Sequence, residues 1–293
     1  MSAAIPIRST QESRAWTHAN SGSARPVGST KIRGRSRMLE DQLAALRREN
    51  DDLRRTLFEA AHAQRKLCGP RNLRRGSFEI ASEIFPVRHL SGDFISIFDY
   101  EDALVFAIGD IAGKGLFAAM WFSHLVTLIQ LQFAKCGDPA STLAAMNRDL
   151  LQTNLEIPLS TLFLARLDTT AGEITYCNAG HPPSFLVRRE GASEALSQGG
   201  PILGVVPGAS FGNGKAAMLP GDSLIAYSDG AVECRNSFGA ELGRKGLLDT
   251  VRNSCGSDAG TTLFSVLAAV ENFTGSQARE DDVALIVLHR AVQ

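Results

Sequence analysis

The clearest periodic signal comes early in the chain. Leu39, Leu43, Leu46, Asn50, Leu53, Leu57, Ala60, Gln64 and Leu67 are spaced alternately by four and three, the heptad repeat of a helix that buries one narrow seam against a second helix. Leu39, Leu46, Leu53, Ala60 and Leu67 take the d positions. Asn50 falls at an a position, where its amide is best satisfied by its own copy in a parallel two-stranded pair. Arg47, Arg48, Arg54 and Arg55 crowd the remaining faces, which excludes a helix buried all round. The pattern predicts a coiled-coil dimerisation or linker helix over 38–68, with an amphipathic helix packed on its own domain as the alternative. Residues 1–37 are rich in Ser, Arg, Gly and Thr and lack periodicity. They read as a basic disordered tail, a composition shared with organelle transit peptides.

Past Gly69-Pro70, a helix-stopping pair, the pattern changes. Phe78 to Ile84 alternates with a period of two, as a half-buried strand does. Further strands are predicted at 103–108, 161–167, 173–177, 184–187, 223–227 and 283–289. Helices are predicted at 116–134, 139–154, 243–253 and 259–273, the second with Asp138 as cap and Pro139 in its first turn. Strands come in runs with Gly-rich turns between them. That order predicts an α+β domain with antiparallel sheets over 76–293.

Charge divides the chain at about the same place. Residues 1–75 hold 16 Lys+Arg against 7 Asp+Glu, and residues 76–293 hold 14 against 24. An acidic domain repels a phosphate backbone, so direct nucleic-acid binding is excluded. Its carboxylates are either a solvated surface or a site for divalent cations. The five cysteines are odd in number and lack C-x-x-C spacing, which argues against a disulfide framework or a zinc site and for a reducing, cytoplasmic compartment. No charged segment followed by an apolar run opens the chain, so no secretory signal is predicted. Leu116 to Ala134 contains no Asp, Glu, Lys or Arg and has roughly the length that spans a bilayer. His124, Ser123, Thr127, Gln130 and Gln132 dilute it, and a buried core helix is the preferred reading over a membrane-anchored regulator.

Four aspartates stand where strands end or turns begin. Asp93 follows Ser91-Gly92; Asp110 opens Gly109-Asp110-Ile111-Ala112-Gly113-Lys114-Gly115; Asp229 lies in Ser228-Asp229-Gly230; Asp281 and Asp282 precede the last strand. Singly, each is an ordinary turn residue. Together, with glycines that admit close backbone approach, they match the oxygen ligands that Mg²⁺ or Mn²⁺ prefer. The glycine loop is not a P-loop, because only three residues separate Gly109 from Gly113 and Gly115 follows Lys114 where Ser or Thr is required. Asn178-Ala179-Gly180-His181-Pro182-Pro183 marks a fixed turn, with His181 either structural or a general acid. No nucleophile elbow accompanies any histidine.

Taken together these strings resemble the PP2C (PPM-type) phosphatases, in their bacterial SpoIIE/RsbU-like branch. The family pattern reads roughly GGDFYD, GDVSGKG with AAL, a threonine-led strand, NAGHPP, TDGxxEAxN and a final DDxT. This chain offers Ser91 to Phe94, Gly109 to Gly115 with Ala118-Ala119, Ser160 to Phe163, Asn178 to Pro183, Ser228 to Asn236, and Asp281 to Ala284. The match runs from about residue 76 to 290, with Ser91, Ser228 and Ala284 as departures from Gly, Thr and Thr. The resemblance implies a four-layer αββα sandwich with two Mn²⁺ or Mg²⁺ ions held by Asp93, Asp110, Asp229, Asp281 and the Ile111 carbonyl. It implies a metal-activated water attacking phosphorus in line, without a covalent intermediate. Lys114, His181, Glu233 and Asp282 are the candidates for substrate contact or shaping of the site. It also implies a phosphoserine or phosphothreonine substrate on an STAS-domain anti-sigma-factor antagonist, and control through a helical linker by a separate sensor or activator. The alternative is a non-catalytic dimeric partner-binding regulator that keeps the fold.

Overall fold

The computed structural model describes residues 27–153 and 156–292; residues 1–26 of the predicted tail lie outside the described residues. The chain divides into two units at Leu53 and Arg54. In the first, the helix α1 (Val27–Leu67) begins at Val27, so residues 27–37, predicted as tail, are helical. No proline stands between Pro26 and Pro70, and nothing in that stretch removes a backbone donor. Leu39, Leu43, Leu46 and Leu53 are all about half exposed or more, so this part of the predicted seam is uncovered.

The second unit begins with the last turns of α1, and here the seam changes its use. Gln64, an a position by spacing, is buried, and Phe58 packs on His89 with ring centroids 5.0 Å apart. The prediction of a dimer seam running to 67 therefore needs correction. Its last two turns pack on their own domain, because Gln64 finds backbone partners there.

Two six-stranded sheets follow. The first contains β1 (Asn72–Arg75), β2 (Phe78–Phe85), β7 (Ser184–Val187), β8 (Ser193–Leu196), β11 (Ser223–Tyr227) and β12 (Val283–Arg290), in the spatial order β1-β2-β12-β11-β7-β8. The second contains β3 (Phe94–Tyr100), β4 (Ala103–Ile111), β5 (Ser160–Asp168), β6 (Glu173–Ala179) and β10 (Gly214–Ala217), in the order β10-β6-β5-β4-β3, with β9 (Gly199–Gly200) beside β6. All pairings are antiparallel except β6 with β9, as the runs of strands predicted.

Three cores separate four layers. Between the sheets lie Phe78, Ile80, Ile286 and Leu288 from one side and Phe106, Ile108 and Phe163 from the other. The helices α2 (Leu116–Cys136) and α3 (Pro139–Leu151) cover the outer face of the second sheet through Phe122, Leu125, Ile129 and Leu143. The helices α4 (Gly243–Asn253) and α5 (Ala259–Thr274) cover the first through Leu247, Val251 and Val266. This is the αββα sandwich the resemblance implied. Helix α2 is long and apolar enough to cross a membrane by length and composition, but 56% of its apolar window is buried in the fold. Asp138 caps α3 as predicted, accepting from Ala140 N at 3.1 Å and Ser141 N at 3.3 Å.

Candidate active site

The aspartates converge because of how the strands run. β11 and β12 are antiparallel neighbours, with Tyr227 opposite Leu285, so the end of one lies beside the start of the other. Asp229 opens a 3-10 turn, Asp229–Ala231, separated from β11 by Ser228 alone, and Asp281 stands two residues before the start of β12. The other sheet supplies Asp93, just before β3, and Asp110. The predicted boundary at Asp110 shifts: β4 continues through Ile111, and Asp110 pairs with Thr161 in the ladder. Gly109 is a strand residue here, because a Cβ on it would lie 2.3 Å from the Phe94 ring and 2.4 Å from the Thr161 carbonyl.

Close approach is built in twice more. A Cβ at Gly92 would meet the Ile111 carbonyl at 3.1 Å, the Gly113 carbonyl at 3.3 Å and Asp110 Oδ1 at 3.6 Å. Side-chain and main-chain oxygens thus gather where a hard cation could use both. A Cβ at Gly230 would meet the Asp282 carbonyl at 2.0 Å, so only glycine lets the 3-10 turn lie against the Asp281-Asp282 pair.

The electrostatics are those of carboxylates short of positive charge. Asp93 is 2% exposed, and its Oδ2 has no hydrogen-bond partner. Burial first, and then repulsion from Asp110, push its carboxyl well above the usual range, against a hydrogen bond with Ser228. Burial, Asp229 and Asp281 push Asp110 up to about 6. Asp229 is raised by burial and by Asp281. A divalent cation reverses each of these shifts. Among the described residues, no three His, Cys, Asp or Glu side chains are drawn closely enough together to hold a metal ion as they stand. The donor set still fits hard cations: a buried carboxylate oxygen lacks a partner, burial and mutual repulsion raise three carboxyls, and the Ile111 carbonyl adjoins Asp110. Lys114 and the loop before β3 each engage one member of the Asp281-Asp282 pair.

Those two neighbours are in fact used differently. Asp282 accepts from Val87 N at 2.7 Å through one oxygen, and from Gly92 N at 2.8 Å and Ser91 Oγ at 3.1 Å through the other. It clasps the loop that presents Asp93. Asp281 is half exposed and pairs with Lys114 Nζ at 2.9 Å. Lys114 also donates to the Glu280 carbonyl at 2.8 Å. Glu233 is exposed and lines a cleft of about 350 Å³ with Arg235, Asn236 and Arg279, which reaches Gly230 and Asp281.

His181 is not placed for acid catalysis. It is 5% exposed, and burial pushes its imidazole down to about 3, so it is neutral at ordinary pH. Its Nδ1 meets Thr161 Oγ1 at 2.8 Å, while the Asn178 amide bonds both its N–H and its carbonyl. It braces the strand opposite Asp110. Ala284, where the family pattern has threonine, lies in the inter-sheet core, and its N–H donates to Ser228 Oγ at 2.9 Å.

Spacing alone missed two contributors. Ser228 joins Asp93 to β12. Gln64 donates to the Ser91 carbonyl and accepts from Ser91 N, both at 3.3 Å, two residues before Asp93. Its polar character in a leucine seam was the available signal.

A family model described as Stage II sporulation protein E (SpoIIE) matches residues 100–291. The chain is 26% identical over 244 residues to the protein IcfG of Synechocystis sp., covering 73% of this chain but 38% of that protein. It is 25% identical over 251 residues to the phosphoserine phosphatase RsbU of Bacillus subtilis, covering 84% of this chain and 73% of that one. Among solved structures, the SiaA-PP2C domain of Pseudomonas aeruginosa superposes with a TM-score of 0.72 at 16% identity, over 82% of this chain and 98% of that domain.

Proposed function

The chain belongs to the SpoIIE family of PP2C-type phosphatases, and from that premise we propose that it is a metal-dependent phosphatase of phosphoserine and phosphothreonine in proteins. The observation that carries this is the convergence of Asp93, Asp110, Asp229 and Asp281 from both sheets on one edge, with an unpartnered buried carboxylate oxygen among them. Asp93, Asp110, Asp229, Asp281 and the Ile111 carbonyl would hold two Mn²⁺ or Mg²⁺ ions. Such ions supply Lewis-acid activation of water and stabilise charge on the attacking and leaving oxygens.

The chain's own residues prepare that chemistry. Asp282 and Gln64 both hold the Ser91-Gly92-Asp93 loop through hydrogen bonds to Ser91 and Gly92. Neutral His181 holds Thr161 beside Asp110. Gly230 admits the turn that brings Asp229 to Asp281. Water replaces the serine or threonine oxygen on phosphorus, releasing the free hydroxyl and inorganic phosphate.

Support for the finer reading is of two kinds. RsbU, to which the chain is similar, is named a phosphoserine phosphatase, which supports a phosphoserine substrate; that the substrate is an STAS-type antagonist in a partner-switching pathway rests on the motif resemblance. The uncovered leucines of α1 suit a parallel homodimer along 39–57, available to a separate sensor or activator, and the free cysteines suit the cytoplasm. The test is hydrolysis of a phosphoserine peptide with Mn²⁺, with EDTA, and in Asp229→Asn. Activity that requires Mn²⁺ and falls by orders of magnitude in the variant is expected. Activity indifferent to EDTA and to the substitution would overturn the reading. Mn²⁺ binding with no hydrolysis of any phosphopeptide would favour the non-catalytic regulator.

A further inference from the structure

Lys114 stands out because a cation sits where the acidic site needs one. Its ammonium lies 2.9 Å from Asp281 Oδ1 and 2.8 Å from the Glu280 carbonyl. Both contacts join parts of the chain far apart in sequence. Each residue of the pair is about half exposed, so the contact is held at the site's mouth and can be exchanged.

Two further features lie beside the same point. The cleft of about 350 Å³ has Glu280 and Asp281, the two residues Lys114 binds, in its lining, beside Arg235 and Arg279, which pair with Glu241 and Glu271. The helix α2 starts at Leu116, and its cap residue Gly115 offers no side-chain acceptor to the first turn. The positive end of a 21-residue helix therefore opens next to Lys114, where negative charge is favoured.

We propose that Lys114 has two alternative partners: it holds Asp281 until a divalent cation takes that carboxylate, and it then binds the phosphoryl oxygens of the substrate. Resting on the phosphatase reading above, the inference makes Lys114 both a competitor of the metal and a contributor to substrate binding. An ammonium next to a ligand opposes cation entry through the pair that must break and through like-charge repulsion. Once displaced, it keeps three donors on a flexible stem, the form in which lysine binds phosphate as a point charge. Lys114 need not move far, because its partner Asp281 lines the cleft and Lys114 itself stands just before the start of α2.

The two roles predict changes of opposite sign, which a purely structural lysine would not produce. In Lys114→Gln, Mn²⁺ should bind roughly two- to fivefold more tightly by calorimetry without substrate, the range an exposed ion pair supports. In the same variant, KM for a phosphoserine peptide and the inhibition constant of inorganic phosphate should each rise by about tenfold or more, the scale of a lost charged hydrogen bond. Lys114→Arg should stay near wild type in both. Weaker Mn²⁺ binding in Lys114→Gln, or KM and phosphate inhibition within twofold of wild type, would overturn the role of Lys114 alone. A wild-type protein that neither binds Mn²⁺ nor hydrolyses phosphopeptides would instead overturn the phosphatase reading and this inference with it.

Discussion

Asp281→Ala and Asp282→Ala differ by one position and should affect the protein in opposite ways. Asp282 accepts three hydrogen bonds, from Val87 N, Gly92 N and Ser91 Oγ. Val87 is exposed, so water can replace that bond, but Gly92 and Ser91 are buried. Leaving each of those donors unpaired costs about 1–3 kcal/mol. Relief of Asp282's repulsion on Asp93 and Asp110 offsets part of that loss. A net loss of about 2–3 kcal/mol should lower Tm by roughly 4–10 °C in a domain of this size. Asp281 has its half-exposed pair with Lys114 to lose, about 1 kcal/mol at most, and an exposed bond from the Asp282 N–H at 3.0 Å that water can replace, while its removal relieves Asp110 and Asp229. Thermal unfolding in EDTA should therefore show Asp282→Ala well below wild type and Asp281→Ala level with it or above. Titration with Mn²⁺ should then show the larger loss of affinity in Asp281→Ala. If Asp282→Ala is not destabilised in EDTA yet binds Mn²⁺ worst, Asp282 is the ligand and the clasp reading fails.

Other perturbations reach the same site from different sides. Gly230→Ala forces a Cβ to 2.0 Å from the Asp282 carbonyl; kcat should fall at least about tenfold and stability by about 1–3 kcal/mol in urea, and wild-type kinetics would contradict the packing described. Gln64→Leu keeps the volume but removes both bonds to Ser91. A drop of about 1–3 kcal/mol with weaker Mn²⁺ binding is expected, and unchanged metal affinity would show that α1 does not hold the Asp93 loop. In EDTA the raised carboxyls make stability depend on pH: Asp93, Asp110 and Asp229 favour the fold while protonated, so their contribution is complete below pH 4 and lost as pH rises above it, for Asp110 through about 6. For Asp110 the displacement from 3.8 to about 6 amounts to about 3 kcal/mol. Urea midpoints at pH 5 and pH 7 should decline in EDTA and decline less with Mn²⁺; a rise with pH would refute this.

Much of this was legible along the chain. Apolar alternation marked β2, β5 and β12, and Asp138-Pro139 marked the start of α3, because burial on one face and a helix cap leave local traces. What escaped was set by contacts distant in sequence. Gly109 looked like the end of a strand, yet the Phe94 ring fills the space a side chain would have occupied. Short edge strands such as Ser193–Leu196 carry little apolar alternation, since most of their residues face solvent. Gln64 fitted the heptad, and only the nearby Ser91 backbone shows why an amide stands there. The pairing of Lys114 with Asp281 depends on the sheets' arrangement and on no local pattern. For the candidate site, the aspartates that gather at one edge were readable along the chain, but the different hydrogen-bond partners of Asp281 and Asp282 were not.

The strand β12 has a consequence in time as well as space. It lies between β2 and β11 and pairs with both along its length, although it follows every other strand in the chain. Until residues 283–290 have left the ribosome, the first sheet is two separate halves, and the turn at Asp229 has nothing to lie against. Asp281, the last of the four clustered aspartates, arrives with that strand. Synthesis itself thus withholds the complete cluster of aspartates from every shorter nascent chain until the sheet closes.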